Sequence, residues 1–387
     1  MTKPLILVTG GPVAVNLDAV KIITNKFKGG RMLALANDLS MLGARVIYLS
    51  SLPPPADWLN LGVELERHTG FDDYMAKVSM LSTVSDAVVL GAAVANLIPD
   101  KRWQELNLKA GKFPSHNYDE GDPVPVLFRI APRIINRVRE AAPRTKLIGF
   151  KLLSGVSSED LIAAAGVTQR ESMAHLVVAN DATRLDDKFG VTPEGGSFGI
   201  DNLPELIYGI ATDEHYQTRL VDNSPAEKEE ARLAYRKMKK LIDLYSDRLL
   251  RGTQPDGMIF GCIAEKFERE PGFLISGRGK RDLHTRTIVR SVNHDDLIVE
   301  SSQGLGKASL NAPLIDRIFT RIPDARAVVH CHECLSEGEW EHLPYYQPGT
   351  VRDSQRDFPT EWHNKGQTWM GQIRFYIKGH GEFLVLK

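Results

Sequence analysis

The sequence predicts an α/β protein in two parts, a parallel-sheet α/β domain followed by an α+β domain, and three observations predict it. Short runs that are apolar almost throughout alternate with helical patterns in the first half, as strands covered on both faces require. A long amphipathic helix with its own start signal then breaks this rhythm. Beyond it β-type runs dominate, with one helix among them, the pattern of a largely antiparallel sheet. The first part is therefore expected to be a Rossmann-like domain over residues 1–218 and the second to occupy 224–387, with the boundary near 216–224.

The elements follow in order. LILVT (5–9), RVIYLSS (45–51), DAVVLGAAV (86–94), KLIGFKLL (146–153) and HLVVAN (175–180) read as buried strands. RMLALANDLSMLG and IAPRIINRVREAA read as helices between them. After a polar stretch near EHYQTRLVDN, Ser224, Pro225 and Glu227 supply an N-cap, an N1 proline and a capping-box glutamate. The helix they start keeps Ala231, Ala234, Met238, Leu241, Tyr245 and Leu249 on one face. From Gly257 onward GMIFGCIA, GFLIS, DDLIVES, RAVVHCH and RFYIKGHGEFLVL are expected as strands, with NAPLIDRIFTRI as the interrupting helix.

Composition narrows the function classes. Lys plus Arg (48) nearly balances Asp plus Glu (49), so no global field draws the chain to nucleic acid or an anionic membrane, and neither is an expected partner. Any phosphate must be held by local geometry. No apolar run approaches the ~18 residues of a membrane span, and the N-terminus reads as a first strand rather than a secretion signal. Three clustered cysteines, Cys262, Cys331 and Cys334, do not make a disulfide framework. A cytoplasmic location is expected.

The strand LILVT delivers the chain to Gly10, Gly11 and Pro12 at the sheet's carboxyl edge, where open α/β folds place ligands. Pro12 removes a donor and the third glycine of GxGxxG is missing, so dinucleotide binding is disfavoured. A second glycine pair, in NKFKGGRMLALA, enters a helix and offers backbone N–H groups to an anion, with Lys26, Lys28 and Arg31 around it. Taken alone, this stretch fits an ordinary tight turn equally well.

Four segments together favour the functional reading. VTGGPVAVNLDAVKIITN with KGGRM, GAAVAN, LIGFKLLSGVSSEDLI and LVVANDATRLDDKFG resemble, in order and spacing, the phosphopantothenate–cysteine ligase (phosphopantothenoylcysteine synthetase) family over about residues 5–195. The resemblance implies a ligase that uses CTP or ATP with Mg2+ to activate a carboxylate as an acyl nucleotidylate and passes the acyl group to an amine, usually that of cysteine. It implies Asn25 and Lys112 as catalytic residues, Asn25 contacting the acyl nucleotidylate and Lys112 closing over it from a flap. It assigns Gly10, Gly11, Asn96, Phe150 and Asn180 to nucleotide binding. Asn96 replaces the family aspartate, which leaves the nucleotide, CTP or ATP, open.

In the second half ARAVVHCHECL places His330 and His332 on one face of a strand and Cys331 on the other. Two same-face histidines begin a metal site, although such a pair without a third ligand is more often structural. Cys331 and Cys334 also spell CxxC. GFLISGRGKRDL, DDLIVES, the segment ending in VVHCH, LPYYQPGT and YIKGHGEF resemble the class II aldolase and adducin-head family over about residues 228–387. That resemblance implies Zn2+ held by His330, His332 and His380. Two departures accompany it: GCIA stands for the family's GNxS, and Asn311 stands where the family has its proton-transfer glutamate. Ser276, Gly277 and Ser309 are left as anion contacts or turn residues. GLGKAS is not a Walker A loop, because position 301 is serine, and SGRGKRD is too short for a nucleic-acid patch.

The expected protein is thus a ligase joined to a zinc domain that is a lyase, epimerase or dehydratase, or an adducin-like scaffold. By analogy with both families a homo-oligomer is expected, working on a small-molecule carboxylate and an amine.

Overall fold

A computed structural model describes residues 3–53, 56, 62–254, 256–303, 305–332, 341–362 and 371–387. Cys334 and His363 lie outside these. The chain divides into two units, Met1–Pro193 with Gly199–Thr212, and Glu194–Phe198 with Asp213–Lys387.

The first unit is built on an eight-stranded sheet. Its principal elements are β1 (Leu5–Thr9), α1 (Gly30–Met41), β2 (Arg45–Ser50), β3 (Glu64–Arg67), α2 (Phe71–Ser82), β4 (Ala87–Leu90), α3 (Lys101–Asn107), α4 (Ile134–Ala141), β5 (Lys146–Leu153), α5 (Ser158–Ser172), β6 (Leu176–Asp181), β7 (Arg184–Val191), β8 (Ser197–Gly199) and α6 (Leu203–Thr212). The sheet order is β8-β7-β6-β5-β4-β1-β2-β3. Pairing is parallel from β3 through β6 and turns antiparallel at β7. The parallel strands are apolar on both faces because helices cover both: Leu7, Val88, Leu147 and Val177 are fully buried in one core with Tyr74, Val78, Val138 and Leu161 of the helices. DAVVLGAAV is not one strand. It breaks after Leu90, since Gly91 sits where any Cβ would collide with Met32 of α1, and Ala93–Val94 pairs instead with Pro12–Val13.

The second unit contains β9 (Gln217–Val221), α7 (Pro225–Arg251), β10 (Cys262–Lys266), β11 (Phe273–Ser276), β12 (Arg286–Asn293), β13 (Ile298–Ser302), α8 (Ala312–Arg321), β14 (Ala327–Cys331), β15 (Glu341–Leu343), α9 (Val351–Ser354), β16 (Gln372–Ile377) and β17 (Gly381–Leu386). Its nine strands run in the order β9-β13-β12-β11-β10-β14-β17-β16-β15. Pairing is antiparallel except at the two ends, where β9 with β13 and β15 with β16 are parallel. Alternate residues serve opposite faces: Cys262, Ala264 and Val328 pack on the α8 side, Ile263, Val329 and Cys331 on the α7 side. The capping box at Ser224 and Glu227 forms as the sequence predicts, and Ala234, Met238 and Leu249 of α7 are buried. Among the described residues no helix is long and apolar enough to cross a membrane.

Candidate functional site

Two sites emerge, one in each unit. In the first, a cavity of about 730 Å3 opens at the carboxyl ends of the central strands. Leu90 and the following Gly91–Ala93, Phe150 and Leu152 of β5, and Asn180 of β6 line it. The start of α1 contributes Lys28, Gly29, Gly30 and Arg31, and Lys188 comes from β7. Gly29 adopts φ 80 as the residue before the helix, a left-handed conformation suited to glycine. Its carbonyl accepts the N–H groups of Met32 and Leu33, at 3.0 Å each. The N–H groups of Gly30 and Arg31 have no acceptor among the described residues, so they add to the positive end of the helix dipole. Arg31 bonds the Leu185 carbonyl and pairs with Asp186, which holds β7 against the helix start.

The second glycine pair therefore forms the cavity rim, while the first sits behind it. Gly10 and Gly11 are buried. The Gly10 N–H donates to Leu49 O at 3.1 Å, and a Cβ on Gly29 would strike the backbone nitrogen of Gly11. Their smallness lets the Gly29 turn descend onto the end of β1. Phe150 and Asn180 line the cavity; Gly10, Gly11, Asn25, Asn96 and Lys112 are not among its lining residues. Asn25 stands at the border, its Nδ2 donating to the carbonyl of the lining residue Ala93 at 3.0 Å. The Asn96 side chain is exposed, and its carbonyl accepts Ala131 N–H. Lys112 lies on a loop closed by mutual backbone bonds with Lys109 and tied to Asp18 through Phe113 N–H. Lys188 was missed: β7 reads RLDDKFGV, too polar to register as a strand.

Asp181 fixes the wall beside Asn180. Its carboxylate accepts from Thr183, Gly155 and Val156, and these bonds, the Thr183 hydroxyl's foremost, hold it well below the usual carboxylate range.

In the second unit His330, His332 and His380 converge, with ligand atoms all within 4.8 Å of one another. His330 is the penultimate residue of β14, His332 follows the strand's end on the same face, and His380 lies in the turn between β16 and β17. His330 Nδ1 lies 2.9 Å from the Glu382 carbonyl and His332 Nδ1 lies 3.1 Å from the Glu194 carbonyl. A carbonyl only accepts, so each Nδ1 carries the proton and each Nε2 offers a lone pair. Burial pushes all three imidazoles down, His332 to about 4 and the others well below the ordinary value, which keeps them neutral. His330 Nε2 and His380 Nδ1 are buried without a hydrogen-bond partner among the described residues. Buried unpaired nitrogens are costly, and neutral convergent imidazoles are what a divalent metal requires, so the residues fit zinc. Glu382, whose carbonyl orients His330, is itself clamped by Arg248 and Arg374.

Asn311 and Cys262, the two departures, touch: Asn311 Nδ2 reaches Cys262 Sγ at 3.8 Å, on the strand whose register puts Cys262 beside His330. Ser276 and Ser309 have inward duties, the Ser276 hydroxyl accepting Ile263 N–H and that of Ser309 accepting Asn311 N–H. Cys331 faces the α7 core, as alternation predicts; its CxxC partner Cys334 lies outside the described residues.

These features define an α/β domain with a cavity at its strand ends rimmed by a glycine-rich helix start, joined to an α+β unit with a three-histidine centre. Residues 1–197 match the family described as DNA/pantothenate metabolism flavoprotein C-terminal domain, and the chain belongs to that family. It is 28% identical over 177 residues to the coenzyme A biosynthesis bifunctional protein CoaBC of Thermococcus kodakarensis, a match covering 45% of this chain and 40% of that protein's length. Among solved structures, the DNA/pantothenate metabolism flavoprotein from Streptococcus pneumoniae is similar at 23% identity and TM-score 0.42, over 53% of this chain and 95% of its own. An aldolase II superfamily protein from Pseudomonas syringae is similar at 16% identity and TM-score 0.27, over 42% of this chain and 68% of its own.

Proposed function

We propose that the first unit is a nucleotide-dependent carboxylate–amine ligase of the phosphopantothenate–cysteine kind, and that the histidine cluster of the second unit holds zinc. The observation that carries the ligase reading is the convergence of the open Gly30 and Arg31 amides with Lys28, Arg31 and Lys188 on one cavity that Phe150 and Asn180 also line. A carboxylate oxygen of the acid attacks the α-phosphorus of CTP or ATP, and pyrophosphate leaves. The amine nitrogen of cysteine then attacks the acyl carbon, and the nucleoside monophosphate departs with the bridging oxygen. Both steps load negative charge onto phosphoryl oxygens, where preorganised amides and cations stabilise it. Mg2+ accompanies the triphosphate.

Within this scheme Gly10 and Gly11 act by admitting the Gly29 turn, Asn25 orients the acyl nucleotidylate from the cavity border, and Asn96 is a base contact. Lys112 reaches the leaving charge only when the 109–113 loop swings toward the cavity. Residues His330, His332 and His380 hold zinc, which supplies Lewis acidity to a bound carbonyl oxygen. The chain's own part is to keep the imidazoles neutral and their lone pairs aimed. Asn311, an amide, does not shuttle protons, so aldol cleavage by a glutamate at that position is not assigned.

Pyrophosphate release tests the ligase. Steady-state release is expected to require both 4′-phosphopantothenate and cysteine, the first turnover needing the acid alone, and to fall by about 100-fold in Asn25→Ala and Lys112→Ala. Undiminished turnover in both variants refutes their roles, and release independent of the acid refutes the ligase.

A further inference from the structure

We propose that Glu194 is a positioning residue of the histidine centre, and that the segment Glu194–Phe198 is a strap without which the centre is mis-set. The proposal rests on the metal reading of the cluster but concerns a residue far from it in sequence. Glu194 follows β7 and precedes the second half of the chain; a chain beginning at Asp213 would not contain it.

The strap's role follows from what each histidine has to orient it. His330 is fixed by the carbonyl of Glu382, from the neighbouring strand β17. His332 lies just past the end of β14, and its Nδ1 finds its acceptor in the Glu194 carbonyl, 3.1 Å away. That bond selects the tautomer and ring orientation that turn Nε2 toward the other two imidazoles. The carbonyl is held in place from several directions. Tyr345 Oη donates to Glu194 Oε2 at 3.1 Å, and the Phe198 ring stacks on Tyr345 with centroids 5.3 Å apart. Gly195, at φ 81, lies against the Gln254 side chain. Gly196 approaches the backbone of Gly379 so closely that a Cβ would collide with its carbonyl group. Gly379 directly precedes His380, so the strap braces the backbone of one ligand while its carbonyl orients another.

A bland packing role for these contacts would affect folding and leave metal geometry alone, which separates the two accounts. The test is the zinc dissociation constant of the full-length protein, from competition with a chromophoric chelator, together with the visible spectrum of the cobalt-substituted form. Gly196→Ala forces the strap off Gly379 without touching a ligand. It is expected to weaken zinc roughly 10- to 100-fold and to alter the cobalt bands. Gly199→Ala, with no atom within 4 Å of the added Cβ, is expected to leave both unchanged. Glu194→Gln, which still accepts from Tyr345, is expected to keep near-wild-type affinity. Should Gly196→Ala fail to fold, Tyr345→Phe, which removes the donor that tethers Glu194, is expected to weaken zinc severalfold. Wild-type affinity and spectrum in folded Gly196→Ala, or in Tyr345→Phe where that variant stands in for it, overturn the proposal and spare the metal reading. Absence of zinc binding by the wild type overturns both.

Discussion

Single residues show where physical chemistry is visible in the sequence and where it is hidden. Alternation along VVHCH was enough to place His330 and His332 on one face and Cys331 on the other, because strand period is a backbone property. The duty of Gly10 and Gly11 was not legible: whether a glycine presents its amide to a ligand or makes room for a neighbouring turn depends on residues twenty positions away. Glu265 was equally silent. It is buried on β10, and burial pushes its carboxyl up to about 7 from 4.5. Between those values the folded protein keeps a proton that the unfolded chain releases, so this residue lowers stability as pH rises through that window. Glu265→Gln is therefore expected to raise stability at pH 8, on the order of 2 kcal/mol, and to change little at pH 4. Equal effects at both pH values in chemical denaturation would contradict the buried-carboxyl account.

Among elements, those with strong local signals were read and those defined by their partners were not. β1, β2 and β5 are predominantly apolar, and α7 carries a complete start signal. Ser224→Ala is expected to cost about 1 kcal/mol by removing the cap that accepts Glu227 N–H. A midpoint unchanged in urea would show the box to be idle. β7 and β9 escaped notice because RLDDKFGV and QTRLV are largely polar sequences whose strand character comes from pairing with β6 and β13. The start of α1 is the element on which the ligase reading stands. Gly29→Ala meets both a positive φ and the Gly11 backbone, so it is expected to displace the Gly30 and Arg31 amides. Loss of nucleotide-induced thermal stabilisation in a folded variant is the expected result; retained stabilisation would show that the anion rim lies elsewhere.

At the scale of the whole molecule, two cores are organised around two sheets, and the sequence pattern changes after residue 216. What no pattern announced is that Glu194–Phe198 groups with residues of the second unit, since a five-residue strap carries no periodicity. If the histidine centre binds zinc in the native state alone, chelation is expected to lower the melting temperature and zinc at 100 times its dissociation constant to restore about 2.7 kcal/mol. Carboxylate activation at the α-phosphorus is the step on which the proposed ligase depends. Supplying the acid with 18O in its carboxylate and analysing the products by mass spectrometry tests it most directly. One labelled oxygen in the phosphate of the released nucleoside monophosphate is the predicted result; label in orthophosphate, or in no nucleotide product, would contradict it.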